Sequence, residues 1–185
     1  MMSLFGGFDP NKFKPHLKMA VSRIRLVRSK TNNQIMTEKR QVCDMLVRAR
    51  DRPEQLELAS IRVESIIRKD RELEAHEILE LMCELLHERT EQIRSSRECP
   101  PELLESAHTL IWASTRCRVP ELAKVREQLG SKFGKEFVRA ALARHPELSR
   151  VNEKVAVRLS LPPADMEIKR HYLDSIAREG GIDED

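Results

Sequence analysis

The sequence predicts an all-α fold, and three observations carry that prediction. Of its 185 residues 34% are Asp, Glu, Lys or Arg and only 4% are aromatic, so helix formers dominate and strand formers are sparse. No Asn-Gly or Asp-Gly dipeptide offers a tight hairpin turn. Apolar residues instead recur at helical spacing over two long stretches. The length suits one domain, or one domain with an extension.

Asp9 is placed to cap the first helix, with Pro10 at its first helical position. Pro15, further in, is a site for a kink or a delayed start. Phe13, Leu17, Ile24, Ile35 and Val42 keep one apolar face, and the spacing runs to Leu46, roughly 40 residues or about 55 Å. The turn Arg50-Asp51-Arg52-Pro53-Glu54 breaks this helix, and Asp51 with Glu54 makes a capping-box-like start for a second. That second helix is expected to reach about Arg94. Its apolar residues form two adjoining sectors, Val63, Ile67, Ile78, Leu81 and Leu85 in one, Ile61, Leu79, Met82, Leu86 and Ile93 in the next. An arc approaching 160° is wider than the usual stripe of about 100°, so this helix should touch more than one neighbour. Two long helices joined by so short a turn predict an antiparallel hairpin.

Shorter pieces follow. Pro100-Pro101 opens a helix through about Ser114, and Pro120 opens another to about Arg144, weakened at Gly130 and Gly134. Residues 147–160 read as a connector with a helical stretch around Val151–Leu159. Pro162-Pro163 opens a last helix through about Arg178, ended by Gly180-Gly181.

Charge is unevenly spread. Residues 1–50 carry 11 Lys and Arg against 3 acids, residues 51–98 carry 8 against 13, and the remainder is balanced. On a helix turning 100° per residue, Lys14, Lys18, Arg25, Arg28 and Lys39 fall within roughly 80°. Lys12, Arg23, Lys30 and Arg48 lie on the opposite flank. Two readings apply to the line Lys14, Lys18, Arg25 and Arg28: a solvated face, or a surface for an acidic protein or an anionic membrane. Nucleic acid is disfavoured, because no aromatic residues are interleaved for base stacking.

Catalytic chemistry finds little footing. The chain has no Gly-rich phosphate loop, no nucleophile elbow and no HExxH, since Glu80 stands where the second His would follow His76-Glu77. Cys83 and His87 are four apart on one helical face, but two ligands without a second pair make a weak metal candidate. No enzyme, cofactor or metal is expected. Cys43, Cys83, Cys99 and Cys117 lack close spacing, as reduced cytosolic thiols do. The amino terminus does not read as a secretory signal, and no apolar run is long enough to span a membrane.

At the second helix the sequence resembles a known family. Ile61-Arg62-Val63-Glu64-Ser65-Ile66-Ile67-Arg68-Lys69-Asp70, with Glu74-Ala75-His76-Glu77-Ile78-Leu79-Glu80-Leu81, is similar to the signature of the increased-sodium-tolerance family. These are ESCRT-III-like regulators of the AAA ATPase that disassembles ESCRT-III in the multivesicular-body pathway. Thr109-Leu110-Ile111-Trp112-Ala113, Glu121-Leu122 through Gln128-Leu129, Ser131-Lys132-Phe133-Gly134-Lys135-Glu136-Phe137 and Val151-Asn152 continue the likeness in order, over roughly residues 10–180.

The resemblance implies an ESCRT-III-type core: a long antiparallel hairpin of helices 1 and 2, two shorter helices, and a C-terminal helix packed back on the bundle. It divides the chain into an extension at 1–9, a core at 10–179 and an acidic tail at 180–185. It implies a non-enzymatic adaptor, cytoplasmic and recruited to the endosomal membrane, that binds charged-multivesicular-body-type subunits and modulates ATPase-driven disassembly. Self-assembly and anionic membrane are further partners in this reading. The family's Pro-rich linker and ATPase-binding C-terminal motifs are not among these residues, so direct ATPase binding is not expected of them. The alternative is a peripheral basic helical domain that binds anionic membrane or nucleic acid without polymer assembly.

Two further sites are expected. Met166, Tyr172, Leu173 and Ile176 give the last helix an apolar side edged by Lys169 and Arg170, which suits a groove for a partner helix. Tyr172 either supplies the rim of that groove or pins the helix to the core. Among the signature residues Arg62, Glu64, Arg68 and Trp112, Glu64 and Arg68 are spaced for a pair or for an assembly contact. Trp112, the only Trp, is expected to anchor the core with its indole N–H bonded to a partner.

Overall fold

A computed structural model describes residues 7–182, and all regular structure among them is helical. Eight helices follow in order: α1 Pro10–Arg48, α2 Glu54–Glu88, α3 Thr90–Ser95, α4 Pro101–Ala113, α5 Leu122–Phe133, α6 Lys135–Leu142, α7 Glu153–Ser160 and α8 Met166–Glu179. The all-α expectation holds. Residues 1–6 of the expected extension and the acids at 183–185 lie outside the described residues.

The start of α1 is as the sequence implies. The Asp9 carboxylate accepts the Asn11 N–H at 2.9 Å, and Pro10 takes the first helical position. Pro15 sits inside the helix without delaying it. It removes only the bond its own N–H would make to the Asn11 carbonyl, one turn from the end.

Four expected boundaries are corrected. The second helix stops at Glu88 instead of about Arg94, because the buried Thr90 hydroxyl donates to the carbonyls of Leu86 and His87, each at 2.9 Å. A side-chain donor there competes with the helical amides for those acceptors. The turn into α2 is closed by the Arg48 carbonyl, which accepts the Asp51 and Arg52 amides, and no Asp51–Glu54 capping box forms. The helix expected over 120–144 is two helices, since Gly134 has φ +98° and ψ 168°, a conformation open to glycine alone. The last helix starts at Met166, not Pro162-Pro163, where Asp165 accepts the Ile168 N–H at 3.0 Å.

The chain packs as two units. The first joins residues through Val27 to Glu74–Leu159, so it holds the amino-terminal part of α1, the later part of α2 and the helices through α7. At its centre α4 is buried without interruption from Ser106 to Ala113. Phe13, Leu17, Ala20 and Ile24 of α1, Leu79, Met82 and Leu86 of α2, and Leu122, Val125 and Leu129 of α5 pack around it. The α6–α7 connector is latched to α4: His108 Nδ1 accepts the Arg150 N–H and Thr109 Oγ1 the Asn152 N–H, both at 2.9 Å. Asn152 then caps α7 through the Val155 N–H.

The second unit joins Arg28–Leu73 to the stretch from Ser160. Its core is smaller: Ile35 and Val42 of α1, Ala59, Val63, Ile66 and Ile67 of α2, and Ile176 of α8. Glu38 of α1 meets Lys69 and Ser65 of α2. With the short turn at 49–53, α1 and α2 are antiparallel here, and in the first unit Arg25 facing Glu84 shows the same sense.

The wide apolar arc of α2 is only partly used. Ile61 and Leu81, both expected in packed sectors, are 65% and 66% exposed, and Ile78 is half-buried beside a fully buried Leu79. Ile61 shares its angular position with Leu79, and Leu81 with Val63, both 0% exposed, so what the neighbours cover changes along α2.

Candidate functional site

Within the second unit, α8 presents two different sides. At 100° per residue, Met166, Leu173 and Ala177 share an arc of roughly 40°. Ile176 lies about 80° around from that line and is 2% exposed, docked on α1 and α2. Leu46 near the end of α1 and Leu56 in the first turn of α2 stand opposite the outer line. Together with Ser60 and Ile182 these residues line an open furrow of about 420 Å³. Leu56 is 52% and Met166 72% exposed, so the apolar lining faces solvent.

Charges edge the furrow unequally. Lys169 is spent inside the unit, its ammonium paired with Glu64 of α2 and its side chain only 14% exposed. Arg170 and Asp174 lie on the outer wall and make no ion pair among the described residues. The far end of α8 is fixed separately. Lys39 pairs with Glu179 at 3.2 Å, and the Cys43 thiol donates to the Ile176 carbonyl at 3.6 Å. A Cβ at Gly180 would stand 2.7 Å from Cys43 Sγ, so only glycine permits this approach. Gly181, at φ +67°, then lets the Ile182 N–H bond back to the Ala177 carbonyl.

Of the five residues expected to form a partner-helix groove, Met166, Lys169 and Leu173 line this furrow. Ile176 is corrected to a core residue. Of the two places expected for Tyr172, it takes the one against the core, half-buried on the other flank of α8 and outside the furrow. The sequence reading missed Leu46 and Leu56, which adjoin a helix more than 100 residues later in the chain.

The basic line on α1 is partly neutralised by the fold. Arg25 reaches Glu80 at 2.5 Å and Glu84 at 3.1 Å, and the bond to Glu80 holds its guanidinium more firmly protonated. Arg28 is half-buried and engaged within the chain. On the other flank Arg23 pairs with Glu121 at 2.9 Å. Lys14 and Lys18 are exposed and make no ion pair among the described residues.

The signature residues divide similarly. Glu64 takes Lys169 as its partner instead of Arg68, which is exposed, as is Arg62. Trp112 is 1% exposed at the heart of the first unit, as expected of an anchor. Its indole N–H is corrected: it meets no acceptor among the described residues. The ring instead has the Arg116 guanidinium 4.5 Å from its centroid and that of Arg144 at 6.0 Å.

Residues 14–183 match the sequence profile of the Ist1 family, described as regulator of Vps4 activity in the MVB pathway. The chain belongs to the Ist1 family. An IST1-like protein of Dictyostelium discoideum is 38% identical over 176 residues, covering 95% of this chain and 46% of that protein. The vacuolar protein sorting-associated protein IST1 of Saccharomyces cerevisiae is 30% identical over 176 residues, covering 90% of this chain and 56% of its own. The chain thus spans about half the length of these Ist1 relatives. The crystal structure of the S. cerevisiae Ist1 N-terminal domain in complex with the Did2 MIM motif matches with a TM-score of 0.84 and 28% identity, over 95% of this chain and 94% of that one. The ESCRT-III-type helical fold expected from the resemblance is the fold of this chain.

No group of three or more His, Cys, Asp or Glu side chains is gathered as a metal site among the described residues. Cys83, weighed above with His87 as a ligand pair, is buried and its thiol is pushed up to about 12, chiefly by burial. Among the described residues no helix is long and apolar enough to cross a membrane.

Proposed function

We propose that this Ist1-family chain is a non-enzymatic adaptor whose α8 furrow takes the C-terminal helix of a charged-multivesicular-body-type ESCRT-III subunit. Through that contact it regulates Vps4-driven disassembly in endosomal sorting and membrane scission. The observation that carries the reading is the furrow itself: an apolar strip of exposed Met166 and half-buried Leu173 and Ala177, faced by Leu46 and Leu56 and walled by Arg170 and Asp174. An amphipathic helix seats its apolar line in such a groove and meets charge at the wall. That the yeast Ist1 domain was captured with the MIM motif of Did2, a subunit of this type, supports it. The chain works in the cytoplasm and reaches the endosomal membrane through its partners. Residues 10–179 act as the core that binds, between the extension at 1–9 and the acidic tail at 180–185.

The basic residues Lys14, Lys18, Arg25 and Arg28 form the second contact, with an acidic face of a neighbouring ESCRT-III subunit, a second copy or anionic lipid. Arg25 joins it only by exchanging its bonds to Glu80 and Glu84.

Calorimetry with a synthetic C-terminal helix from a charged-multivesicular-body-type subunit tests the furrow. Leu173→Asp should weaken binding at least tenfold, about 1.4 kcal/mol, while the circular dichroism spectrum stays helical. Tyr172→Ala should lower the melting temperature and leave the affinity unchanged. Undiminished binding by both Leu173→Asp and Leu56→Asp would overturn the assignment.

A further inference from the structure

α1 has two apolar faces in its first unit, and only one of them is used. Phe13, Leu17, Ala20 and Ile24, spaced i, i+4, i+7, i+11, are each 0% exposed and share an arc of roughly 60°. Pro15, Met19, Ser22 and Leu26 repeat that spacing two residues later, within another arc of roughly 60° that lies about 160° away. All four are exposed, Met19 by 48% and Leu26 by 61%. Single exposed apolar residues are ordinary, but a line without a charged residue across three turns is not.

We propose that this outer line is a docking strip for an amphipathic helix of another protein whose apolar side is bordered by acidic residues. It deepens the electrostatic half of the proposed function by replacing a broad basic face with a defined line. It shares no residue with the α8 furrow, so either can fail alone.

Charge fixes the kind of helix. Lys12 borders the strip on one side and Lys14 and Lys18 on the other, and no Asp or Glu occurs between Pro10 and Thr37. The strip is also shaped. Met19, Ser22 and Leu26 with Lys18, Arg23 and Glu121 line a furrow of about 390 Å³ where the start of α5 approaches α1. The Arg23–Glu121 pair closes one wall. A helix ridge fits a furrow, which a flat lipid surface does not fill. The observations therefore favour a protein helix over a membrane.

The protein supplies its own reporters. The Met19 methyl lies in the strip and the Met166 methyl in the α8 furrow, so methionine-methyl NMR of the full chain reads the two surfaces separately. The probe is a synthetic helix of roughly 18 residues with leucines at i, i+4, i+7 and i+11 bordered by glutamates, and a control with lysines in their place. The glutamate peptide should shift the Met19 signal saturably. Lys18→Glu should weaken that binding at least tenfold and Leu26→Asp should abolish it, while Leu173→Asp leaves it intact. Both strip residues are exposed, so these variants keep the fold, which circular dichroism verifies. No Met19 shift at about 1 mM glutamate peptide would overturn the proposal. So would equal binding of the lysine peptide, or a Met19 response only to vesicles with about 30% phosphatidylserine.

Discussion

The two packing units of this chain enclose their helices to different degrees, as α4 and α8 show. The first is built around α4, buried from Ser106 to Ala113 and latched to the α6–α7 connector by neutral side chains, His108 and Thr109, while its ion pairs, such as Arg25–Glu80 and Arg23–Glu121, involve other helices. In the second, α8 has one buried residue, Ile176, with Ile168, Tyr172 and Leu173 only partly buried against the same core, and two ion pairs, Lys169 on Glu64 and Lys39 on Glu179. A helix enclosed on every side has no apolar surface left to offer. A helix docked along one edge leaves its outer line uncovered, and the furrow beside Met166 and Leu173 is what remains. The proposed binding surface is thus a consequence of incomplete packing, located where burial contributes least.

Two chromophores let this contrast be tested in one molecule. The only Trp, Trp112, reports the first unit, and the only Tyr, Tyr172, the second. The largest effect is expected from Leu110→Ala, which opens a cavity in the fully enclosed helix and should cost about 3–5 kcal/mol in denaturation followed by Trp112 fluorescence. Ile176→Ala should cost about 2–3 kcal/mol, because α8 can settle against its smaller core. It should disturb Tyr172 before Trp112. If the order of cost is reversed, the two units do not differ as described.

The sequence made the long elements legible because their signals are local and repeated. Asp9-Pro10 marks the start of α1, and Phe13, Leu17 and Ile24 mark its buried side without any knowledge of neighbours. Breaks that depend on one side chain were not legible. Thr90 reads as an ordinary helical residue until its hydroxyl is seen bonding to Leu86 and His87. Ile61 and Leu81 read as core because periodicity identifies an apolar face but not how much of it a neighbour covers. Part of the furrow was visible in the pattern of α8. Its opposite wall, Leu46 and Leu56, is contributed by residues whose only link to α8 is tertiary. The same limit hid Met19 and Leu26, whose spacing copies that of the buried line beside them.

A smaller effect should sharpen the contrast at the edge of the furrow. Lys169→Met keeps the aliphatic stem and removes the charge, leaving Glu64 without its partner. With one side chain 14% and the other 35% exposed, the loss should lie between the surface and buried limits, about 1–2 kcal/mol. Adding Glu64→Gln should recover part of it, and a double-mutant cycle read through Tyr172 measures the coupling. A cycle with no coupling would mean that the Lys169–Glu64 pair does not help to hold α8.

The finest test uses pH, and it should act on the first unit through His108. Burial, with a smaller contribution from the Arg150 charge, lowers the pKa of this imidazole from 6.5 to about 4. Its Nδ1 accepts the Arg150 N–H, so the neutral ring carries its proton on Nε2. A second proton would replace that acceptor with a donor facing another donor. Between about pH 4 and 6.5 the unfolded chain therefore binds more protons than the folded one. The stabilisation from neutral His108 is complete above the unfolded value and is lost progressively as pH falls through this window. His108→Gln keeps a side-chain acceptor for the Arg150 amide but does not titrate. Stability followed by Trp112 should fall less steeply in that variant between pH 6.5 and 4, with Tyr172 showing little difference between the two proteins. Equal slopes at Trp112 would show that the latch on the α6–α7 connector does not depend on the charge of this ring.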